Sequence, residues 1–198
     1  MSRTAAFIAC LATAVAVHAG APPSKRDAAS LRQKIAAVVA AGTTPQTRTQ
    51  ARRTTVTQNE VNAYLAYDAA PDLPPGVVNP SITIAGGGRL SGSAIVDLDA
   101  VRKANPSAGM LDPTSYLTGR LPITATGVLT TTNGTGRFQL ESAAIGSVPV
   151  PKVVLQQIVG YYTRTPDHPG GIGLDDPFAL PVRIREIQVQ PGQAIIVQ

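Results

Sequence analysis

Apolar and polar residues alternate over long stretches from residue 77 onward, and this period of two predicts β-strands. Residues 77–101 contain two such stretches on either side of a triple glycine, which favours a turn between two strands. Residues 116–148 form a longer hairpin around Asn133-Gly134, the dipeptide preferred in tight two-residue turns. Residues 182–198 form a third hairpin across a Pro-Gly pair. The alternation places three apolar residues of the middle hairpin's return strand on one face, namely Phe138, Leu140 and Ala144.

Three segments instead show apolar residues at helical spacing. Residues 28–41 repeat leucine, isoleucine and valine at helical intervals and stop before Gly42. Thr57 followed three residues later by Glu60 is a capping box, which predicts a helix at the start of the compact domain. Pro151 suits the first turn of a third helix, which we expect to end at Thr163.

The helix that begins at Pro151 has a wide apolar side. Its apolar residues fall within an arc of about 160° on a helical wheel, whereas an ordinary surface helix shows a stripe of roughly 100° or more. They are Val154, Leu155, Ile158, Val159, Tyr161 and Tyr162. The adjacent tyrosines suit either a core position or the mouth of an apolar groove, because each joins an apolar ring to a hydroxyl. The helix is therefore expected either to be buried on most sides or to meet something other than protein.

The first nineteen residues have the organisation of a secretory signal peptide. Arg3 precedes an apolar run, and small or short residues lead to a cleavage position after Ala19. The apolar run is too short to favour a membrane-spanning helix. We therefore expect a secreted or periplasmic protein. Its predicted parts are a signal peptide (1–19), an N-terminal helix with a basic flexible arm (20–55) and a single α+β domain (56–198).

Few side chains suited to catalysis follow the predicted cleavage position. Cys10 precedes it, so cleavage leaves no thiol nucleophile and no disulfide; a lipoprotein signal at Cys10 is the alternative interpretation. His168 is the one remaining histidine and fits a turn. Asp175 and Asp176 suit either half of a calcium site or an ordinary turn before proline. We therefore predict no enzyme activity, no cofactor and no metal site.

The basic character of the chain is concentrated near its start. Residues 20–55 contain seven basic residues and one acid, whereas the remainder contains nine basic and eleven acidic residues, a net charge of −2. A nucleic-acid-binding domain would carry a basic face, so the charge distribution argues against nucleic acid as a partner. The basic arm is either a solvated linker or a peripheral contact with an anionic membrane surface.

Four phrases in the chain together carry a family resemblance. VTQNEVNAYLA opens the domain, SITIAGGGRLSGSAIVDLD is a strand–turn–strand unit, LPITATGVLTTTNGTGRFQLESAAIGSVPVPKVVLQQIV leads from a hairpin into the helix, and FALPVRIREIQVQPGQAIIVQ closes the domain. Over about residues 56–198 this order resembles the small secreted or lipid-anchored bacterial proteins related to the tubular lipid-binding (TULIP) superfamily. The resemblance implies a single module in which a strongly curved antiparallel sheet wraps around a long helix. It also implies an apolar groove for acyl chains and a role in envelope lipid binding or transport.

The wide helix and the resemblance together predict a groove between the helix and the long hairpin. Glycine and alanine on the strands would let such a sheet curl. The candidate ligand-binding residues are Val154, Leu155, Ile158, Tyr161 and Tyr162 on the helix, and Leu121, Ile123 and Leu129 on the strand. We expect non-enzymatic binding of a lipid or another hydrophobic ligand. The alternative is a structural or protein-interaction component of the cell envelope, in which the groove is simply core.

Overall fold

Four α-helices and nine β-strands make up the part of the chain that this computed structural model describes, residues 22–43, 51–104, 119–162, 164 and 169–198. The helices are α1 (Lys25–Thr43), α2 (Gln58–Tyr67), α3 (Leu98–Ala104) and α4 (Lys152–Tyr162). The strands are β1 (Arg53–Thr57), β2 (Val77–Gly86), β3 (Arg89–Asp97), β4 (Arg120–Thr132), β5 (Thr135–Ile145), β6 (Val148–Pro149), β7 (Phe178–Ala179), β8 (Glu186–Gln190) and β9 (Gln193–Val197). The three predicted helices and the three predicted hairpins are all present.

The larger sheet is antiparallel and contains six strands. β2, β3, β4 and β5 lie side by side in chain order, and the two-residue strands β6 and β7 pair with opposite ends of β5. Asn133 and Gly134 join β4 to β5 with positive φ angles of 50° and 80°, as a tight primed turn requires. The prediction of an α+β fold with antiparallel strands is confirmed at this level.

A β-bulge at Glu141 changes which side chains of β5 share a face. Two consecutive residues of β4 pair with Leu140 and Ser142, so Glu141 between them has no partner on that strand. An extra residue inverts the alternation of the side chains beyond it. Ala144 therefore lies on the opposite face from Leu140, and the prediction that these two residues share a face is wrong.

The smaller sheet and the first two helices form the other half of the fold. The sheet has the order β1-β9-β8, and both pairs are antiparallel. α1 packs on α2, and α2 packs on β2. Lys34 of α1 also donates to the carbonyl of Thr55 at 2.7 Å, and the Gln198 side-chain amide donates to the carbonyl of Val38 at 2.9 Å. The chain before residue 56 thus contacts several elements of the segment that follows it.

Buried apolar side chains concentrate where α1, α2 and the smaller sheet meet. They are Ala28, Leu31, Val38, Ala41, Val56, Ala63, Ala69, Ile84, Ile184 and Val197. Ile84 is the member that belongs to the larger sheet, and it lies on β2, the strand against which α2 packs. The buried positions of β4 and β5 are Gly127 and Gly136, and β3 has none. The larger sheet is therefore enclosed at its β2 side and much less so toward β5.

α4 differs from the long wrapped helix that the resemblance implied. It has 11 residues, fewer than the 19 of α1, and it packs against β5 at the side of the sheet away from α2. The contacts give an α+β fold with antiparallel sheets, whereas a sheet wrapped around a long helix is not confirmed.

Candidate functional site

One face of the larger sheet is apolar across four adjacent strands. Residues opposite one another in an antiparallel ladder share a face. The register therefore groups Ile84, Leu90, Gly127 and Leu140 in one row across β2–β5. The same face carries Ile82, Val96, Leu121, Ile123, Leu129, Phe138 and Ile145. We call this surface the apolar face.

A row of small residues crosses the middle of the apolar face. Gly92 of β3 pairs with Ala125 of β4, which pairs with Ala143 of β5. Because neighbouring strands lie about 4.8 Å apart, this row extends roughly 10 Å across the sheet. Larger side chains, including Ile123 and Leu140, lie on the rows at either side. The surface of the face is therefore recessed along its centre relative to its flanks.

The reverse face of the same strands carries most of their hydroxyl side chains. The hydroxyls of Ser81 and Ser93 lie 2.7 Å apart, and Arg89 pairs with Glu141 at 2.9 Å between Nη2 and Oε1. No Asp, Glu, Lys or Arg of β2–β5 lies on the apolar face, since the register places each of them on the reverse face or at the bulge. The two faces of the sheet thus have distinct chemistry.

The described part of the chain covers the apolar face only in part. Ile84, beside α2, is 5% exposed, whereas Ile145 on β5 is 36% exposed. Val148, which pairs with Ile145 on β6, is 65% exposed. Leu90, Val96 and the apolar residues of β4 between these extremes are half-buried. Contiguous apolar surface that is accessible to solvent is a feature of binding sites and interfaces.

Three of the predicted site residues lie together on the apolar face. Leu121, Ile123 and Leu129 lie at odd-numbered positions of β4, which share one face, and all three are half-buried. On α4, Val154 is 40% exposed and Leu155 is half-buried. The side chains of Ile158, Tyr161 and Tyr162 lie outside the described part of the structure, as does His168. The predicted contact between the two groups of residues stays a prediction.

Several apolar residues of this face were missing from the candidates chosen from the sequence. They are Ile82, Ile84, Leu90, Val96, Phe138, Leu140 and Ile145. Counting outward from the Asn-Gly turn would have placed Phe138 opposite Leu129. The position of Ile145 opposite Ile123 depends on the bulge, for which the alternation of the sequence gives no signal.

The acidic pair that suggested a calcium site has turn and ion-pair roles. Asp175 pairs with Lys152 of α4, and Asp176 Oδ2 accepts a hydrogen bond from the Gly173 N–H at 2.7 Å. Among the described residues, no group of three or more His, Cys, Asp or Glu is arranged to hold a metal ion.

A polar cavity lies where the tip of the β4–β5 hairpin meets the smaller sheet. Its volume is about 410 Å³. The lining residues are Thr131, Thr132, Asn133, Arg185, Glu186 and Val197. None of the predicted groove residues lines it.

No described helix is both long enough and apolar enough to cross a membrane.

Comparison with known proteins leaves the family unassigned. No family model matches the chain, and no curated protein matches it. Among solved structures, the chain is similar to a crystal structure of lipopolysaccharide binding protein, with 18% identity and a TM-score of 0.22. The match covers 79% of this chain and 45% of the other, so the chain spans less than half the length of that protein. A likeness at this level establishes neither a shared fold nor a shared ligand.

Proposed function

We propose that this protein binds a lipid or another hydrophobic ligand on the apolar face of its larger sheet, without catalysing a reaction. The observation that carries the proposal is the combination of apolar chemistry and partial exposure on that face. Ile145 is 36% exposed and its neighbours on β4 are half-buried, although no charged side chain of β2–β5 shares the face with them. Covering such a surface removes apolar area from water, which is favourable by about 25 cal/mol per Å².

A charge placed at the centre of the apolar face tests the proposal. Ile123→Glu introduces a carboxylate that an apolar ligand would have to desolvate without a partner. We expect affinity for a fluorescent sixteen-carbon fatty acid to fall at least tenfold. Native mass spectrometry of the protein mixed with the same fatty acid gives the stoichiometry independently.

The neighbouring residue supplies a matched control. Thr124 is exposed and lies on the reverse face, so Thr124→Glu adds the same charge one position away. We expect its affinity to equal that of the unmodified protein. Circular dichroism must show both variants to be folded. Equal loss of affinity in the two variants, or no uptake of fatty acid by the unmodified protein, would refute the proposal.

A protein-interaction role in the cell envelope is the second candidate. It is favoured by two exposed valines at the β5 side of the sheet, Val148 and Val153, each 65% exposed. A partner protein that covers these residues would bury them as a ligand would bury the face. This role predicts that Val153→Asp abolishes partner binding and leaves fatty-acid affinity unchanged.

The remaining parts of the proposal concern location and the membrane. Secretion or export to the periplasm, with transport of envelope lipids as the wider role, is proposed from the signal-like residues 1–19. Peripheral contact of the segment 20–55 with an anionic membrane surface is proposed from its basic residues. Arg32 and Lys34 would contribute least to that contact, because Arg32 pairs with Asp68 at 2.7 Å and Lys34 pairs with Glu60 at 2.6 Å.

A further inference from the structure

α4 and the loop that follows it contact each other through polar side chains. Gln156 accepts a hydrogen bond from the Leu174 N–H at 2.7 Å, and its amide donates to the carbonyl of Ile172 at 3.3 Å. One turn earlier, Lys152 pairs with Asp175. The helix therefore binds residues 172–175 at two successive turns.

A close approach of two backbones adds a third connection between α4 and the loop. Gly171 has a φ of +74°, and a Cβ at this position would collide with the carbonyl of Gly160 in α4. Gly160 is buried by this approach although it lies on a short helix at the side of the sheet. Glycine at residue 171 is thus required both by the backbone conformation and by the contact.

The attachment of this unit to the sheet is slight by comparison. The strands at its two ends, β6 and β7, have two residues each, and both pair with β5. β6 includes Pro149, which has no N–H to donate to the ladder. Between the two strands, the outward apolar residues of α4 contribute little to the core, because Val153 is 65% exposed and Val154 is 40% exposed. Segments with few buried apolar contacts open at lower free-energy cost than the rest of a fold.

We propose that α4 and residues 170–176 form one flap, which opens from the β5 side of the larger sheet as a unit and widens the opening of the apolar face on that side. The flap is joined internally by Gln156, Lys152 and the Gly160–Gly171 approach, and β6 and β7 are its two hinges. The access role rests on the proposed function, whereas the movement as a unit does not.

Two adjacent glycines allow a sharp test of the flap. Gly171→Ala breaks the internal contact, whereas a Cβ at Gly170 would meet no atom within 4 Å, so Gly170→Ala is the matched control. Gln156→Ala is a second variant that removes two internal hydrogen bonds without altering backbone freedom. Hydrogen exchange with mass spectrometry then compares peptides covering residues 152–162, 171–176 and 120–145.

We expect exchange in residues 152–162 and 171–176 to rise together, at least tenfold, in Gly171→Ala and Gln156→Ala. The 120–145 hairpin should be unchanged, and Gly170→Ala should match the unmodified protein. A rise confined to 171–176 would overturn the flap, because the loop would then open alone. A rise shared by α4 and the hairpin would also overturn it, because α4 would belong to the folding unit of the sheet.

Uptake of the fluorescent fatty acid tests the access role separately. A flap that governs access should let both opened variants take up the probe at least threefold faster in stopped-flow mixing. An unchanged rate alongside cooperative exchange would overturn the access role. Absence of uptake by the unmodified protein would refute the proposed function and remove the access role with it, while the exchange result still decides whether the flap moves as a unit.

Discussion

Among the described residues, Glu60 is the one buried charged residue, with 7% of it exposed. Its carboxylate accepts hydrogen bonds from Ser30 at 2.6 Å, from Lys34 at 2.7 Å and from the Thr57 N–H at 2.9 Å. Burial alone would raise the pKa of Glu60, but the hydrogen bonds from Lys34, Ser30 and Thr57 outweigh burial and lower it to about 2. The capping-box residue predicted from the sequence therefore also joins α2 to α1.

This arrangement makes part of the folding stability depend on pH. A lowered pKa in the folded state contributes stability that is present above the ordinary value of 4.5 and is lost as the pH falls toward about 2. A difference of that size corresponds to about 3 kcal/mol. We expect the free energy of unfolding, measured in urea, to fall by about that amount from Glu60 between pH 5 and pH 2.

Replacing Glu60 by glutamine should remove this dependence. Glu60→Gln should lower the free energy of unfolding at pH 7 by about 2–4 kcal/mol, since Lys34 loses its buried partner. It should also reduce the fall in the free energy of unfolding between pH 5 and pH 2. Glu141→Gln is the control, because Glu141 is exposed in its pair with Arg89. If the free energy of unfolding falls equally between pH 5 and pH 2 in Glu60→Gln and in the unmodified protein, Glu60 does not control the acid dependence.

At the scale of elements, two amide side chains of α2 close the outer edge of the larger sheet. Asn62 accepts from the Ile82 N–H at 2.7 Å and donates to the Ile82 carbonyl at 2.9 Å. Gln58, one turn earlier, accepts from the Ile84 N–H at 2.7 Å. The helix therefore occupies hydrogen-bonding groups of β2 that an unprotected edge strand would offer to another chain.

Removing one of these amides should both destabilise the fold and expose the edge. We expect Asn62→Ala to lower the free energy of unfolding by about 1–3 kcal/mol, because the Ile82 N–H and carbonyl lose their partner. Light scattering should also show faster self-association. Asn59→Ala, on the same helix, should change the free energy of unfolding by less than about 0.5 kcal/mol. It should leave the rate of self-association unchanged. Equal effects at residues 59 and 62 would contradict edge protection.

At the scale of the whole molecule, the segment before residue 56 takes part in the buried core. Leu31 and Val38 of α1 are buried; Arg32 pairs with Asp68 just after α2, and Lys34 pairs with Glu60 of α2. Charge counting along the chain assigned these basic residues to the N-terminal helix and basic arm (20–55), because their acidic partners lie 26 or more positions away. Contacts over such distances are decided by packing and not by local pattern.

A pair of α1 residues tests how far this segment belongs to the domain. Leu31 is buried whereas Ile35, one turn later, is 41% exposed. We expect Leu31→Ala to cost about 2–4 kcal/mol in the single unfolding transition, because it leaves a cavity. Ile35→Ala should cost less than about 1 kcal/mol. If both variants unfold like the unmodified protein, residues 20–55 form an arm separate from the domain at 56–198.

Local pattern determined the elements of this protein. The Asn-Gly turn, the capping box and the alternation of apolar residues predicted α2 and three hairpins, because turn chemistry, helix capping and period-two alternation act between residues that are close in sequence. They also placed Leu121, Ile123 and Leu129 on one face, since β4 itself has no bulge.

Only the tertiary structure decided how those elements are covered. The bulge at Glu141, the packing of α1 on α2 and the position of α4 beside β5 depend on contacts between residues far apart in the chain. The sequence determined that one face of the larger sheet is apolar. The tertiary structure decided that α2 encloses this face at β2 and leaves it partly open toward β5, because burial depends on which distant elements pack against a strand and not on the pattern within it.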